Sequence, residues 1–196
     1  MFVKGRRSLR VTGEQDIIEL VEQDEWMMDI LRTAQSLELP DWMVCAGFVR
    51  SKIWDVLHGY TVRTPLGDVD VVYFDPGNVD ESVEKELENR LLRMRPGIPW
   101  SVKNEARMHL KNNFPPYIST VDAISKFPES ATALGLALND RDQVVLAAPC
   151  GLEAVLNMEL TPTPYFREVE ERMDIFDRRI RQKNWKNTWP KVKVVR

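Results

Sequence analysis

Asp68 and Asp70 stand two positions apart in the stretch LGDVDVVYFD, residues 66–75. An alternating run of this kind reads as a β-strand, and on a strand both carboxylates project from one face while Val69, Val71 and Tyr73 project from the other. Neighbouring carboxylates repel each other unless a cation stands between them. The pair is therefore a candidate site for a divalent ion held by carboxylate oxygens. The competing reading is an edge strand whose polar face is simply solvated.

What precedes the pair sharpens this chemistry. WMVCA (42–46) is a short apolar run with the character of a buried strand, and FVRSKIWDVLHG (48–59) follows with Val49, Ile53, Trp54 and Leu57 on one helical face and Gly59 as its stop. Gly47 falls at the strand-to-helix turn. A glycine there lets backbone N–H groups approach a phosphate, and a helix N-terminus adds a favourable field for an anion. Arg50, one turn into the helix, can neutralise charge that develops on a phosphate. Paired aspartates on the adjoining strand complete an arrangement suited to in-line displacement at phosphorus, with bound Mg²⁺ activating an attacking hydroxyl.

The remaining elements must hold these residues in place. Ile17, Ile18, Leu20, Val21, Trp26, Met27, Ile30, Leu31 and Ala34 recur with helical period, which predicts one helix from Glu14 to Leu37 ended by Pro40. A strand is expected from Asp68 to Phe74, a charged helix from Glu81 to Arg93, a third strand at WSVKN (100–104) and a short helix at EARMHL (105–110). STVDAISKF predicts another helix, ATALGLAL and QVVLAA flank NDRD as a hairpin, GLEAVLNM is a short helix, and Tyr165 to Trp185 reads as one long charged helix. Strands and helices mix without strict βαβ alternation. The expected class is α+β, a short mixed sheet flanked by helices. The expected organisation is a single domain over residues 1–196, with an N-terminal helical segment at 1–38 and a basic C-terminal tail at 178–196.

CAGFVRSKIWDVLHG, followed by GDVDVVYFD, resembles the head of the DNA-polymerase-beta-like nucleotidyltransferase superfamily, most nearly the head domain of CCA-adding enzymes and poly(A) polymerases. Gly47, Val49, Arg50, Gly59, Asp68 and Asp70 carry the match. Together with WSVKNEARMH, FPESATALGLAL and APCGLEAVL, the pattern is also similar to a family of small bacterial nucleotidyltransferase-like proteins over about residues 42–190. The resemblance implies a metal-dependent transfer of a nucleoside monophosphate from a nucleoside triphosphate to an unidentified hydroxyl, with pyrophosphate as leaving group. It implies Asp68 and Asp70 as catalytic ligands of Mg²⁺ or Mn²⁺, and Gly47, Phe48 and Arg50 as nucleotide contacts. Ala46 and Ser51 depart from the family pattern, which has a second glycine and an aspartate there. Glu105, the one acid in WSVKNEARMH, stands where the family pattern has glutamine. No counterpart of the Arg-Arg-Asp motif or of the helix that chooses between C and A is found, so templated CCA addition is not expected.

Lys103, Asn104 and Arg107 form a polar cluster that either borders the nucleotide or marks a helix start capped by Asn104. His58 and His109 are isolated, and zinc binding by the two is not expected. Cys45 and Cys150, far apart and without ligand spacing, read as reduced, small hydrophobes.

The chain has 196 residues, 43% hydrophobic and 29% charged, the balance of an ordinary globular protein. No apolar run suits a signal peptide or a membrane anchor, which points to the cytoplasm. Net charge is −3, yet from Arg178 onward there are eight cations and no acid, so the 177 residues before it carry −11. Trp185 and Trp189 lie within that basic strip. It either contacts RNA through phosphates and stacked bases, or docks on the acidic body with its tryptophans packed. Two alternatives to an active enzyme stay open: a catalytically inactive nucleotide- or RNA-binding module of the same fold, and a structural domain whose aspartates face water.

Overall fold

The structure, a computed structural model, describes residues 11–196; the basic first ten residues lie outside the described residues. Where one helix is expected from Glu14 to Leu37, there are two, α1 (Glu14–Glu22) and α2 (Glu25–Gln35). Asp24 causes the break. Its backbone is extended, and its carboxylate accepts from the Met27 N–H at 3.1 Å, the bond of a helix N-cap. The same carboxylate pairs with Lys52 at 2.7 Å and Arg63 at 2.8 Å. α2 thereby turns Met27, Met28, Ile30, Leu31 and Ala34 into the core.

Burial alone would raise the Asp24 carboxyl, but hydrogen bonds from Lys52 and Arg63 outweigh it and hold the group below the usual aspartate range. A lowered folded value means stabilisation that is present above the ordinary aspartate pKa and lost as pH falls through the folded one. Asp24→Ala is expected to cost about 2 kcal/mol by removing the cap and unpairing both cations. Urea titrations at pH 7 and at pH 3 would check this, the difference from wild type shrinking at the lower pH.

β1 (Met43–Cys45) leads through Ala46 into α3 (Gly47–His58), which Gly59 ends in the left-handed conformation, φ 74°. β2 (Val69–Tyr73), α4 (Glu81–Met94), β3 (Trp100–Asn104), α5 (Glu105–Asn112) and α6 (Thr120–Ser125) follow. Then come β4 (Gly135–Leu138) and β5 (Val144–Ala147), the expected hairpin, and α7 (Glu153–Leu156) and β6 (Glu159–Leu160). The long terminal helix expected from Tyr165 is also interrupted. α8 (Pro164–Arg167) stops, Val169 is extended at φ −138°, and α9 (Glu170–Lys183) begins afresh. β7 (Lys193–Val194) pairs in parallel with β6 in a small sheet of two strands.

The main sheet has five strands in the order β3-β2-β1-β4-β5, with β2 and β3 parallel and the other pairs antiparallel. The fold is thus α+β with a mixed sheet flanked by helices. One sheet face, carrying Val44, Val69, Val71 and Val102, joins the main core with Leu31, Ile53 and Trp54 from the helices. Each fully buried aliphatic side chain there contributes about 1.5–3 kcal/mol. The opposite face carries a smaller cluster, Met43, Cys45, Val72, Ile124 and Ala133. Gly135 lets α6 settle on that cluster: a Cβ at this position would stand 2.6 Å from Met43 Sδ and 2.9 Å from Ile124 Cδ1.

Candidate active site

A cleft of about 550 Å³ opens beside the smaller cluster, and Asp68, Asp70, Gly47, Arg50 and Lys103 all line it. Strand register brings them together. Cys45 pairs with Asp70 across the antiparallel β1/β2 ladder, so the turn that leaves β1 begins next to the second aspartate. Ser101 is the register partner of Asp70 on the other side, and Lys103 is that of Val72. Alternation along β2 and β3 points Asp70, Ser101 and Lys103 to one face.

Ala46 occupies the turn at φ 56°, ψ −117°, a conformation that strains any residue with a Cβ and costs roughly 1–3 kcal/mol. This is where the family pattern has glycine. Strain held in this way is characteristic of a site whose backbone is oriented for a ligand. The Ala46 N–H donates to the Leu134 carbonyl at 3.0 Å, and its carbonyl accepts from Val49 and Arg50. α3 has no side-chain cap and no acid in its first turn, and the Gly47 and Phe48 N–H groups find no acceptor in the described structure. The phenyl ring of Phe48 does not face the cleft. It is buried against Trp26, centroids 5.9 Å apart, so Phe48 can offer a ligand only its backbone.

Arg50 is 7% exposed. Its guanidinium lies 4.9–5.2 Å from the ring centroids of Trp54, Trp185 and Trp189, Nη2 donates to Ser51 Oγ at 3.0 Å, and Nε has no partner. Burial pushes the group down to about 10, against the pull of Glu129, Asp68 and Asp55. It stays a cation at any physiological pH, with hydrogen-bonding capacity left over in a cleft it lines.

Among the acids, Asp68 is exposed and Asp70 is largely covered. Burial first, and then the charge of Asp68, push the Asp70 carboxyl up to about 6; Ser101, Lys103 and Lys183 pull the other way. Glu105, at the start of α5, lines the same cleft and is pushed up to about 8 by burial and then by Asp70 and Glu84. The sequence singles out Glu105 as the one acid of its segment, and α5 turning under β2 is what brings it to this cleft. Among the described residues no group of three or more His, Cys, Asp or Glu side chains is arranged to hold a metal ion. The acidic wall offers Asp68 and Asp70, with Glu105 beside them as a carboxyl whose burial favours the neutral form.

Asn104 and Arg107 are not brought to the cleft. The Asn104 side chain is buried, accepts from the Ala106 and Asp75 N–H groups and donates to the carbonyls of Asp75 and Asn78; it is a helix cap and loop tie. Arg107 is engaged by the fully buried Glu84 at 2.8 Å. Lys103 reaches the cleft while held by Glu88 at 3.3 Å and Glu84 at 3.6 Å.

The basic tail folds back onto the body. Trp185 and Trp189 are buried, Trp189 Nε1 donates to Asp55 Oδ1 at 2.8 Å, and the Lys191 N–H donates to His58 Nε2 at 3.1 Å. Arg179 and Lys183, one turn apart on α9, line the cleft. Local pattern assigned them to a tail; only the tertiary fold shows where they face.

The sequence pattern of a family described as nucleotidyltransferase matches residues 32–194. The chain belongs to this nucleotidyltransferase family. A solved structure described as revealing a CCA-adding enzyme head domain is 35% identical, with TM-score 0.87, covering 96% of this chain and 99% of that one. A CCA-adding enzyme solved with CTP shares the fold at 15% identity and TM-score 0.54, and a tRNA-processing enzyme does so at 17% and 0.51. The chain spans less than half of those two larger proteins, 44% and 46%. No curated protein matches the chain. Membership and fold support transfer of a nucleoside monophosphate in general terms, and among the described residues no helix is long and apolar enough to cross a membrane.

Proposed function

We propose that this nucleotidyltransferase is a metal-dependent enzyme that moves a nucleoside monophosphate from a nucleoside triphosphate to a hydroxyl acceptor and releases pyrophosphate. The observation that carries the reading is the register of Cys45 with Asp70, which sets a carboxylate pair beside the uncapped start of α3. Asp68 and Asp70 are the catalytic pair and the residues that would hold Mg²⁺ or Mn²⁺. Their donor set fits such an ion: two hard carboxylates suit a cation that fills its remaining positions with water and phosphate oxygens, so no third protein ligand is needed. When bound, the ion supplies Lewis-acid stabilisation of the phosphate charge and a more acidic acceptor hydroxyl. The N–H groups of Gly47 and Phe48 and the Arg50 guanidinium bind the triphosphate from the other side. Lys103 lowers the negative potential around Asp70 and Glu105.

RNA is the acceptor class that the tail favours. Arg178, Lys186 and Lys193 are exposed and carry no ion pair among the described residues, which leaves phosphate-binding cations on the segment that also lines the cleft.

Thermal unfolding tests the central reading without an acceptor. Each of the four ribonucleoside triphosphates is added with and without Mg²⁺, to wild type and to the Asp68→Ala/Asp70→Ala variant. A ligand at about a hundred times its Kd should add about 2.7 kcal/mol to native stability, a shift of several degrees. The expected result is a Mg²⁺-dependent shift with at least one triphosphate that the double variant loses. A wild-type protein that responds to none of the four would overturn the reading.

A further inference from the structure

We infer that Lys183 is a phosphate ligand of the bound nucleotide, contributed by α9 in addition to the contacts offered by α3. This rests on the nucleotidyltransferase reading above and adds to it the claim that the C-terminal helix is part of the nucleotide site rather than a covering layer.

The argument begins with the cations that line the cleft: Arg50, Lys103, Arg179 and Lys183. A triphosphate brings about four negative charges, and every cation that meets it must have a free donor. Lys103 is already neutralised by Glu84 and Glu88 at 3.6 and 3.3 Å. Arg179 Nε donates at 2.7 Å to Glu129, whose carboxylate is fully buried and also accepts from Thr132 Oγ1, so Arg179 serves to anchor α9. Arg50 retains one unpartnered nitrogen. Lys183 differs from the others, because among the described residues its ammonium makes neither ion pair nor hydrogen bond.

Position matters as much as freedom. Lys183 follows Arg179 by one helical turn, so the ion pair that fixes Arg179 also fixes the face on which Lys183 stands. Trp185 and Trp189, buried beyond the end of α9, tie the helix to Arg50 and Asp55. Lys183 and Asp70 line the same cleft, so a phosphate held beside that carboxylate shares the cavity with the Lys183 ammonium. The bland reading is that Lys183 complements the carbonyls at the C-terminus of α9 and points at water. That role needs no wall of a cleft and predicts no dependence on phosphate number.

The experiment compares wild type with Lys183→Gln and Lys183→Arg, with Arg167→Gln as a control for net charge. Arg167 is exposed and does not line the cleft. Binding in the presence of Mg²⁺ is measured for the triphosphate that gives the largest thermal shift, and for its diphosphate, its monophosphate and inorganic tripolyphosphate. The expected result is a loss of about ten- to a hundredfold in triphosphate and tripolyphosphate affinity for Lys183→Gln, a smaller loss for the diphosphate and little for the monophosphate. Lys183→Arg should recover part of it, and Arg167→Gln should match wild type. Equal affinities for wild type and Lys183→Gln, or the same loss for Arg167→Gln, would overturn the inference. If Asp68→Ala/Asp70→Ala still abolished binding in that case, the function proposed for the site would stand while the role of Lys183 fell. A wild type that bound none of the probes would remove both.

Discussion

Asp70→Asn should abolish nucleotidyl transfer while making the fold more stable. Asp70 is largely covered, and burial and then the charge of Asp68 push its carboxyl up to about 6 from an ordinary 3.8. A raised carboxyl pKa means that the folded state resists ionisation more than the unfolded state does. The resulting cost is absent below about pH 3, grows between about 3 and 6, and is complete above that. Asparagine keeps the shape, carries no charge and can still bond the neighbouring Ser101. Without divalent cations, the variant should be more stable than wild type by roughly 1–3 kcal/mol at pH 8, or about 2–8 °C in melting temperature, and the difference should shrink to nearly nothing by about pH 3. Transfer, followed as pyrophosphate released, should fall on the order of a thousandfold or more, because half of the carboxylate pair is gone. Equal melting temperatures at pH 8 would show that Asp68 and burial do not strain Asp70.

The opposite stability effect is expected at Glu84. Its side chain is fully buried on α4, where Oε1 accepts from the Asn104 N–H at 3.0 Å and from Arg107 Nε at 3.1 Å, and Oε2 accepts from Arg107 Nη2 at 2.8 Å. Three donors converge on one carboxylate. Glu84→Ala would leave the buried β3 N–H without an acceptor and strip Arg107 of its bidentate partner, with only the exposed Glu81 at 3.5 Å to replace it. Breaking one side of a buried pair costs about 3–5 kcal/mol, which for a chain of this length is a drop of roughly 10 °C. Glu84→Ala/Arg107→Ala should be less damaged than the sum of the single variants, since the second substitution removes the orphaned charge. Strict additivity in chemical denaturation would show that the pair is not coupled. Activity should fall as well, because the β3-to-α5 turn that Glu84 ties down presents Lys103 and Glu105 to the cleft.

Residues that speak through local pattern were legible in the sequence. Asp68 and Asp70 announced a strand face by alternation, Gly47 and Gly59 bounded α3, and the NDRD turn joined β4 to β5. The break at Asp24 was not legible, because an aspartate between Gln23 and Glu25 has the same polarity whether it caps a helix or rides on its surface. Val169 likewise has no glycine or proline to mark the second break. The roles of Asn104 and Arg107 depended on partners about twenty to thirty positions away, Glu84 and Asp75, which no local period encodes. Arg179 and Lys183 were hidden for the same reason, and Glu105 was visible only as a lone acid, since only the packed sheet brings α5 and α9 to one cleft. The tail offered two readings from composition alone; Trp185 and Trp189 are packed on the body and not free to stack on bases, while the exposed cations beside them keep phosphate contact open.

The contact between Asp55 and Trp189 spans 134 positions, and that between His58 and Lys191 spans 133. The β1/β2 ladder, by contrast, closes through α3 and one loop. Closing a longer loop costs more chain entropy and is returned only when its last contacts form, so the ladder with its carboxylates organises early and the tryptophans arrive late. The aromatic enclosure of Arg50 is then the final piece assembled and the first to open in native-state fluctuations. Amide hydrogens of β7 and of the segment around Trp185 should accordingly exchange with solvent faster than those of β2, and a bound nucleotide should slow them.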